Sequence, residues 1–143
     1  MTTTSSPLKC MPLSPHYRPT VLCIDDDPEI THSIKLLLSI YDVNVICECC
    51  GRLGIWDIYS KKPDLVITDL RMPEGDGQFL LEQLQTNAKA AKIPVIVLSG
   101  QRNSQLAGRL RHLGAASFLN KPVSRETLIA EIERFVPLHE NDG

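Results

Sequence analysis

The stretch Val21-Leu22-Cys23-Ile24-Asp25-Asp26-Asp27-Pro28 decides the fold. Four apolar residues in succession end abruptly in three carboxylates. A half-buried strand would alternate apolar and polar residues. An unbroken apolar run instead reads as a strand covered on both faces, as in a parallel sheet between helices. Asp27 is a plausible N-cap, and Pro28 suits the first position of a helix. Ile30, Ile34, Leu37 and Leu38 then follow at i, i+4, i+7 and i+8, which is one helical stripe. A buried strand therefore turns into a helix through an acidic corner.

The same unit recurs outward from this point. Leu65-Val66-Ile67 ends at Thr68-Asp69, and Val95-Ile96-Val97-Leu98 ends at Ser99-Gly100. Weaker strand candidates are Val43 to Cys47 and Ser117 to Leu119. Between them, helices are predicted from about Asp76 to Gln85 and along Leu106, Leu110 and Leu113, where Gly114 stops the helix. Ser124 can cap a last helix with the face Leu128, Ile132, Phe135 and Val136, ended by Pro137. A helix from Arg52 to Tyr59 is weakened by Gly54. Five β–α repeats give an α/β fold with a doubly wound five-stranded parallel sheet, (βα)5, and right-handed crossovers. The flavodoxin-like strand order 2-1-3-4-5 fits this pattern.

The 143 residues suit one domain, with 43% hydrophobic and 22% charged residues typical of a globular chain. Residues 1–19, rich in Ser, Thr and Pro, read as a flexible tail; residues 20–137 read as the domain and 138–143 as a short C-terminal tail. A net charge of -2 argues against binding nucleic acid by phosphate neutralisation. No apolar run approaches the roughly 18 residues of a membrane span. Five cysteines without a regular framework, and no secretory signal, indicate reduced thiols and a cytoplasmic protein.

In a doubly wound sheet, function gathers at the carboxyl ends of the strands. There the chain places Asp25, Asp26 and Asp27, then Asp69, Ser99 and Lys121. Two carboxylates about 4 Å apart repel by roughly 4 kcal/mol at an effective dielectric of about 20. Such a cluster must take up a proton or bind a cation, and all-oxygen ligands in a small open site favour Mg²⁺. A carboxylate nucleophile, Mg²⁺, an ammonium and a hydroxyl together suit phosphoryl transfer to an aspartate.

Four segments carry a family resemblance. Val21 to Ile30, Asp64 to Gly77, Ile93 to Gly100 and Gly114 to Pro122 are similar, in that order, to the motifs of the response-regulator receiver domain of two-component systems. The resemblance spans roughly residues 20–137. It implies that Asp69 is the phosphorylated residue, with Asp26, Asp69 and the backbone carbonyl of Arg71 as Mg²⁺ ligands and Asp25 supporting the metal. It implies that Ser99 and Lys121 hold the phosphoryl group, and that Ser99 and Phe118 act as the switch. Arg71 and Gln101 would flank the site. A cis peptide bond before Pro122 is also implied. Ser99 stands where the family more often has Thr, and Phe118 where it more often has Tyr.

The implied partners are a sensor histidine kinase or phosphotransfer protein, and a target reached through helix 4, strand 5 and helix 5. No nucleic acid or membrane is implied. Enzyme activity would be limited to self-phosphorylation and self-dephosphorylation. Two other readings stay open. One is a receiver-like scaffold that is never phosphorylated. The other is a small phosphohydrolase of the haloacid-dehalogenase type, for which Asp25-x-Asp27 is a superficial match spoiled by Pro28. With only Pro137 to Gly143 after Val136, the protein is expected to act by docking or to be an excised piece. Cys47, Cys49 and Cys50 read as small hydrophobes rather than metal ligands, and Trp56 and Tyr59 as helix packing.

Overall fold

A computed structural model describes residues 17–72, 75–100 and 104–141. Its strands are β1 (Thr20–Ile24), β2 (Asn44–Glu48), β3 (Leu65–Asp69), β4 (Val95–Ser99) and β5 (Ser117–Asn120). Its α-helices are α1 (Pro28–Leu38), α2 (Gly51–Lys61), α3 (Gly77–Gln85), α4 (Ser104–His112) and α5 (Arg125–Glu133), with a 3-10 turn at Ala90–Lys92. All strand pairs are parallel, and the order is β2-β1-β3-β4-β5.

Alternation along each strand divides the core into two layers. Leu22, Ile24, Val66, Val95 and Val97 face α2, α3 and α4, packing with Ile58, Leu80, Leu81, Leu84, Leu106 and Leu110. Val21, Cys23, Leu65, Ile67, Ile96 and Leu98 face α1 and α5, packing with Ile34, Leu38, Leu128 and Ile132. The unbroken apolar runs follow from this, since both faces of each central strand are dry. Each fully buried Leu or Ile contributes about 1.5–3 kcal/mol.

The helix starts are set by side-chain caps. Asp27 accepts from Glu29 N–H, Asp76 from Phe79 N–H and Ser124 from Thr127 N–H. The last helix ends at Glu133, earlier than its apolar stripe. Phe135 and Val136 sit in the turn beyond, where both their N–H groups donate to Ile132 O and Val136 is buried. After this turn the chain runs back beside α1, with Asp42 N–H on His139 O and Asn141 N–H on Ile40 O.

The second β–α unit departs most from its sequence. β2 is displaced one residue from the predicted span and ends at Glu48. α2 is longer than predicted, and Lys62 closes it in the left-handed conformation with φ 50°. Gly54, which weakens the helix by propensity, sits where α2 packs against β1. A Cβ there would lie 2.3 Å from Ile24 Cδ1, so a larger residue would have to displace the end of that side chain. Trp56 does not pack in the core as expected; it is 71% exposed, and Tyr59 is exposed beside it. Cys47 is half-buried, but Cys49 lies beyond the strand and is exposed.

Candidate functional site

The carboxyl edge of the sheet gathers the acidic residues. β1 delivers Asp25 and Asp26, and β3 ends on Asp69. Ile24 is paired with Thr68, so the residues that follow each strand emerge side by side. One carboxylate oxygen from each of Asp25, Asp26 and Asp69 lies within 4.8 Å of the others. Among the described residues this is the only such cluster of potential metal ligands. Asp25 is buried, Asp69 half-buried and Asp26 exposed.

Lys121 arrives from the other side of the site, on the loop after β5. Its Nζ donates to Asp69 Oδ1 at 3.0 Å and to Asp25 Oδ2 at 3.1 Å. The backbone helps to aim it, because Lys121 N–H donates to Ser99 O at 2.7 Å. The Lys121–Pro122 peptide bond is cis, as the resemblance implied. Asp25 is further fixed by Asp27 N–H, which donates to its Oδ1 at 2.9 Å.

The electrostatics follow from burial and pairing. Desolvation is the largest influence on Asp25 and raises its pKa; hydrogen bonds from Asp27 N–H and Lys121 oppose this without cancelling it. Burial works to lower the Lys121 pKa, but its hydrogen bonds to Asp69 and Asp25 outweigh that, and the net direction is upward. The ammonium therefore stays charged and offsets one negative charge of a three-carboxylate cluster.

The donor set fits a small hard cation. Oxygen ligands around Mg²⁺ at about 2.1 Å stand about 3–4.2 Å apart, a span these side chains reach with little movement. Exposed Asp26 leaves one side open to water and to phosphoryl oxygens. Arg71, whose carbonyl is the expected third protein ligand, lies two residues beyond Asp69 and is exposed. Leu70, between them, is pinned by its N–H on Leu98 O and its O on Gly77 N–H.

Ser99 is the last residue of β4 and is buried, with 2% of its surface exposed. Phe118 is paired with Val97 in β5 and packs half-buried against the α2–α3–α4 layer. The structure thus brings Asp25, Asp26, Asp69 and Lys121 into one constellation, and places Ser99 and Phe118 on the neighbouring strands. Gln101 lies outside the described residues. Asp27 is a cap.

A second acidic contact escaped the sequence reading. Glu48, at the end of β2, approaches Asp57 of α2, which is 3% exposed. Asp57 Oδ1 faces Lys61 Nζ at 3.5 Å, while its Oδ2 is buried with no donor. A proton on Glu48 would supply that donor. The Glu48 pKa is accordingly pushed up to about 7, first by its hydrogen bond to Asp57, then by burial and by the Asp57 charge, against the pull of Lys61. The i, i+4 spacing of Asp57 and Lys61 was a usable signal. Glu48 was overlooked because the strand was expected to end at Cys47. Gly51 and Gly75 meet nearby, where Gly51 N–H donates to Gly75 O at 3.0 Å and ties the start of α2 to the β3–α3 loop.

A doubly wound sheet with an aspartate trio and one lysine at its carboxyl edge defines a class of phosphate-handling signalling domains, and comparison with known proteins identifies the family. The family model for the response regulator receiver domain matches residues 21–133, and the chain belongs to that family. The chain is 34% identical over 117 residues to hybrid signal transduction histidine kinase D of Dictyostelium discoideum, covering 82% of this chain and 8% of that protein. It is 33% identical over 118 residues to the transcriptional regulatory protein GlrR of Escherichia coli, covering 82% and 26%. The chain thus spans a minor part of these relatives.

Among solved structures, it resembles a Francisella response-regulator receiver domain, with a TM-score of 0.77 at 27% identity, covering 82% of this chain and 96% of that one. It also resembles the receiver domain of a signal transduction histidine kinase from Syntrophus aciditrophicus, with a TM-score of 0.75 at 27% identity, covering 82% and 89%. As a receiver domain, the chain is a phosphorylation-controlled signalling module.

Proposed function

We propose that Asp69 accepts the phosphoryl group, from a sensor histidine kinase or a phosphotransfer protein. The observation that carries this is the position of Asp69 Oδ1. It lies 3.0 Å from Lys121 Nζ, within a carboxylate trio whose oxygens fall inside 4.8 Å. An Asp69 oxygen attacks phosphorus in line; the new O–P bond forms as the P–N bond of the donor phosphohistidine breaks, and the imidazole departs with the bonding pair. Asp25, Asp26, Asp69 and the Arg71 carbonyl would hold Mg²⁺, which when bound neutralises carboxylate charge and orients the phosphoryl oxygens. Lys121 keeps its ammonium where charge accumulates on the transferred group. Ser99 offers a hydroxyl from the end of β4.

The output follows from the neighbouring strands. Once a phosphoryl group sits on Asp69, Ser99 is drawn toward it, and Phe118 repacks into the space beside β4. That changes the surface of α4, β5 and α5, and a protein target reads the change by binding one form more tightly. The net charge of -2, the oxygen chemistry of the site and the four cysteines described as free thiols favour protein partners in the cytoplasm over nucleic acid. No helix among the described residues is long and apolar enough to cross a membrane. Enzymatic activity is confined to taking up and losing the chain's own phosphoryl group.

The test is labelling with acetyl phosphate. Wild-type protein is expected to take up label only with Mg²⁺, and Asp69→Asn to take up none. Label retained by Asp69→Asn would overturn the assignment. Failure of wild type to bind a beryllofluoride analogue would favour the unphosphorylated scaffold.

A further inference from the structure

We propose that the groove between α1 and the start of α5 binds a small amphiphilic carboxylate, an aliphatic chain with a single anionic head. The inference concerns binding alone and does not rest on phosphorylation of Asp69.

The groove has a volume of about 690 Å³. Sites for small organic molecules usually measure about 300–1,000 Å³ and are mostly apolar. Its floor is Ile34, Leu98 and Leu128, all buried in the layer that faces α1 and α5. Ile30, Leu37 and Val123 stand above them, half-buried. Ile30, Ile34 and Leu37 follow i, i+4 and i+7 along α1, so this apolar stripe runs for about 10 Å, at 1.5 Å per residue. An extended chain of about eight carbons, with bonds of about 1.5 Å, is of similar length. An aliphatic tail laid along the stripe would exclude water from it, which is favourable.

Charge indicates the other end of the occupant. No acidic side chain lines the groove among the described residues, and two cations do. One is committed, because Lys121 Nζ is held by Asp69 and Asp25. The other, Arg125, is exposed at the first position of α5 and has no hydrogen bond or ion pair among the described residues. A cation in the first turn stands against the helix dipole, so the stability of α5 does not account for it. Its guanidinium presents a planar fork that matches the two oxygens of a carboxylate. Glu126 follows in the same turn and weighs against a dianion such as a phosphate monoester. An uncommitted arginine beside an apolar groove therefore selects one negative charge on an apolar tail.

Titration of the full chain with octanoate, followed by amide NMR shifts, tests this. Octanoate is expected to shift Ser33, Leu37, Val123 and Arg125 saturably. Acetate, which lacks the tail, and octylammonium, which reverses the charge, should leave them in place. Arg125→Gln should weaken octanoate binding roughly tenfold or more, as for loss of one charge-assisted pair. Ser33→Trp, placed at an exposed position on the groove, should abolish it by filling the space. Both positions are exposed, so amides of the opposite core layer should not move in either variant. No response to octanoate, an equal response to octylammonium, or undiminished binding by Arg125→Gln would overturn the proposal. Shifts of the same amides with protein concentration alone would overturn it in favour of a second copy of the chain.

Discussion

Lys121 Nζ bridges Asp69 Oδ1 and Asp25 Oδ2 at 3.0 and 3.1 Å, so one ammonium from the β5–α5 loop holds together the ends of β1 and β3. Removing that ammonium leaves Asp25 buried beside two other carboxylates. Lys121→Met is expected to lower stability by about 1–3 kcal/mol, less than for a fully buried pair because the lysine side chain is 27% exposed. Added Mg²⁺ should restore part of the loss. Urea midpoints with and without Mg²⁺ check both statements, and an unchanged midpoint would show that the bridge contributes nothing.

The opposite sign is expected for Asp26→Asn. Asp26 is exposed and lacks the close lysine contact that Asp25 and Asp69 share, so its charge adds repulsion. The variant should have a higher denaturation midpoint than wild type in metal-free buffer. It should also lose most of the rise that Mg²⁺ produces in wild type. Thermal melts across a Mg²⁺ titration measure both.

The Glu48–Asp57 contact predicts a pH dependence. The folded-state pKa of Glu48 is raised from 4.5 to about 7, so between those values the native state binds more protons than the unfolded state. Stability is then fully present below the unfolded value and is lost as pH rises through about 7. Glu48→Gln keeps a donor for Asp57 Oδ2 and should flatten this slope. Chemical denaturation at several pH values decides it; an identical slope in the variant would locate the effect elsewhere.

Two glycines should respond oppositely to alanine. A Cβ on Gly51 would meet Gly75 O at 2.2 Å, and that neighbour is backbone. Gly51→Ala must push α2 from the β3–α3 loop, with an expected loss of about 1–3 kcal/mol. Gly108, within α4, has nothing within 4 Å of a Cβ. Gly108→Ala should stabilise the protein by about 0.5–1 kcal/mol through helix propensity. Paired urea titrations of the two variants test the contrast.

Much of this molecule can be read from its sequence because burial leaves a pattern. Val21 to Ile24, Leu65 to Ile67 and Val95 to Leu98 are apolar without interruption since helices cover both faces of each strand, and their ends mark the edge where Asp25, Asp26, Asp69 and Ser99 lie. Lys121 could be placed on the same edge because it follows the fifth strand candidate, but its bridge to Asp25 and Asp69 depends on how a long side chain on a loop is aimed, which spacing does not give. The second β–α unit was harder. Gly54 reads as a helix breaker until its contact with Ile24 is seen, and Glu48 reads as loop until the strand is found to extend that far. Trp56 was misplaced for a related reason. An aromatic on a helix suggests packing, but periodicity says which residues could face a core, not which of two faces does.

The hydrogen bond from Lys121 N–H to the Ser99 carbonyl joins the end of β4 to the loop after β5 by a single backbone link. Under the proposed function, a pull on Ser99 would be felt at Lys121 as well, so a target reading this flank would meet two coupled changes instead of one. Toward the other edge of the sheet, Gly51 N–H on Gly75 O ties the start of α2 to the β3–α3 loop by a separate backbone bond. The acidic cluster sits over the central strands β1 and β3 while the Ser99–Lys121 link lies toward β5, so the output proposed above would be one-sided, a handedness in signalling as well as in winding.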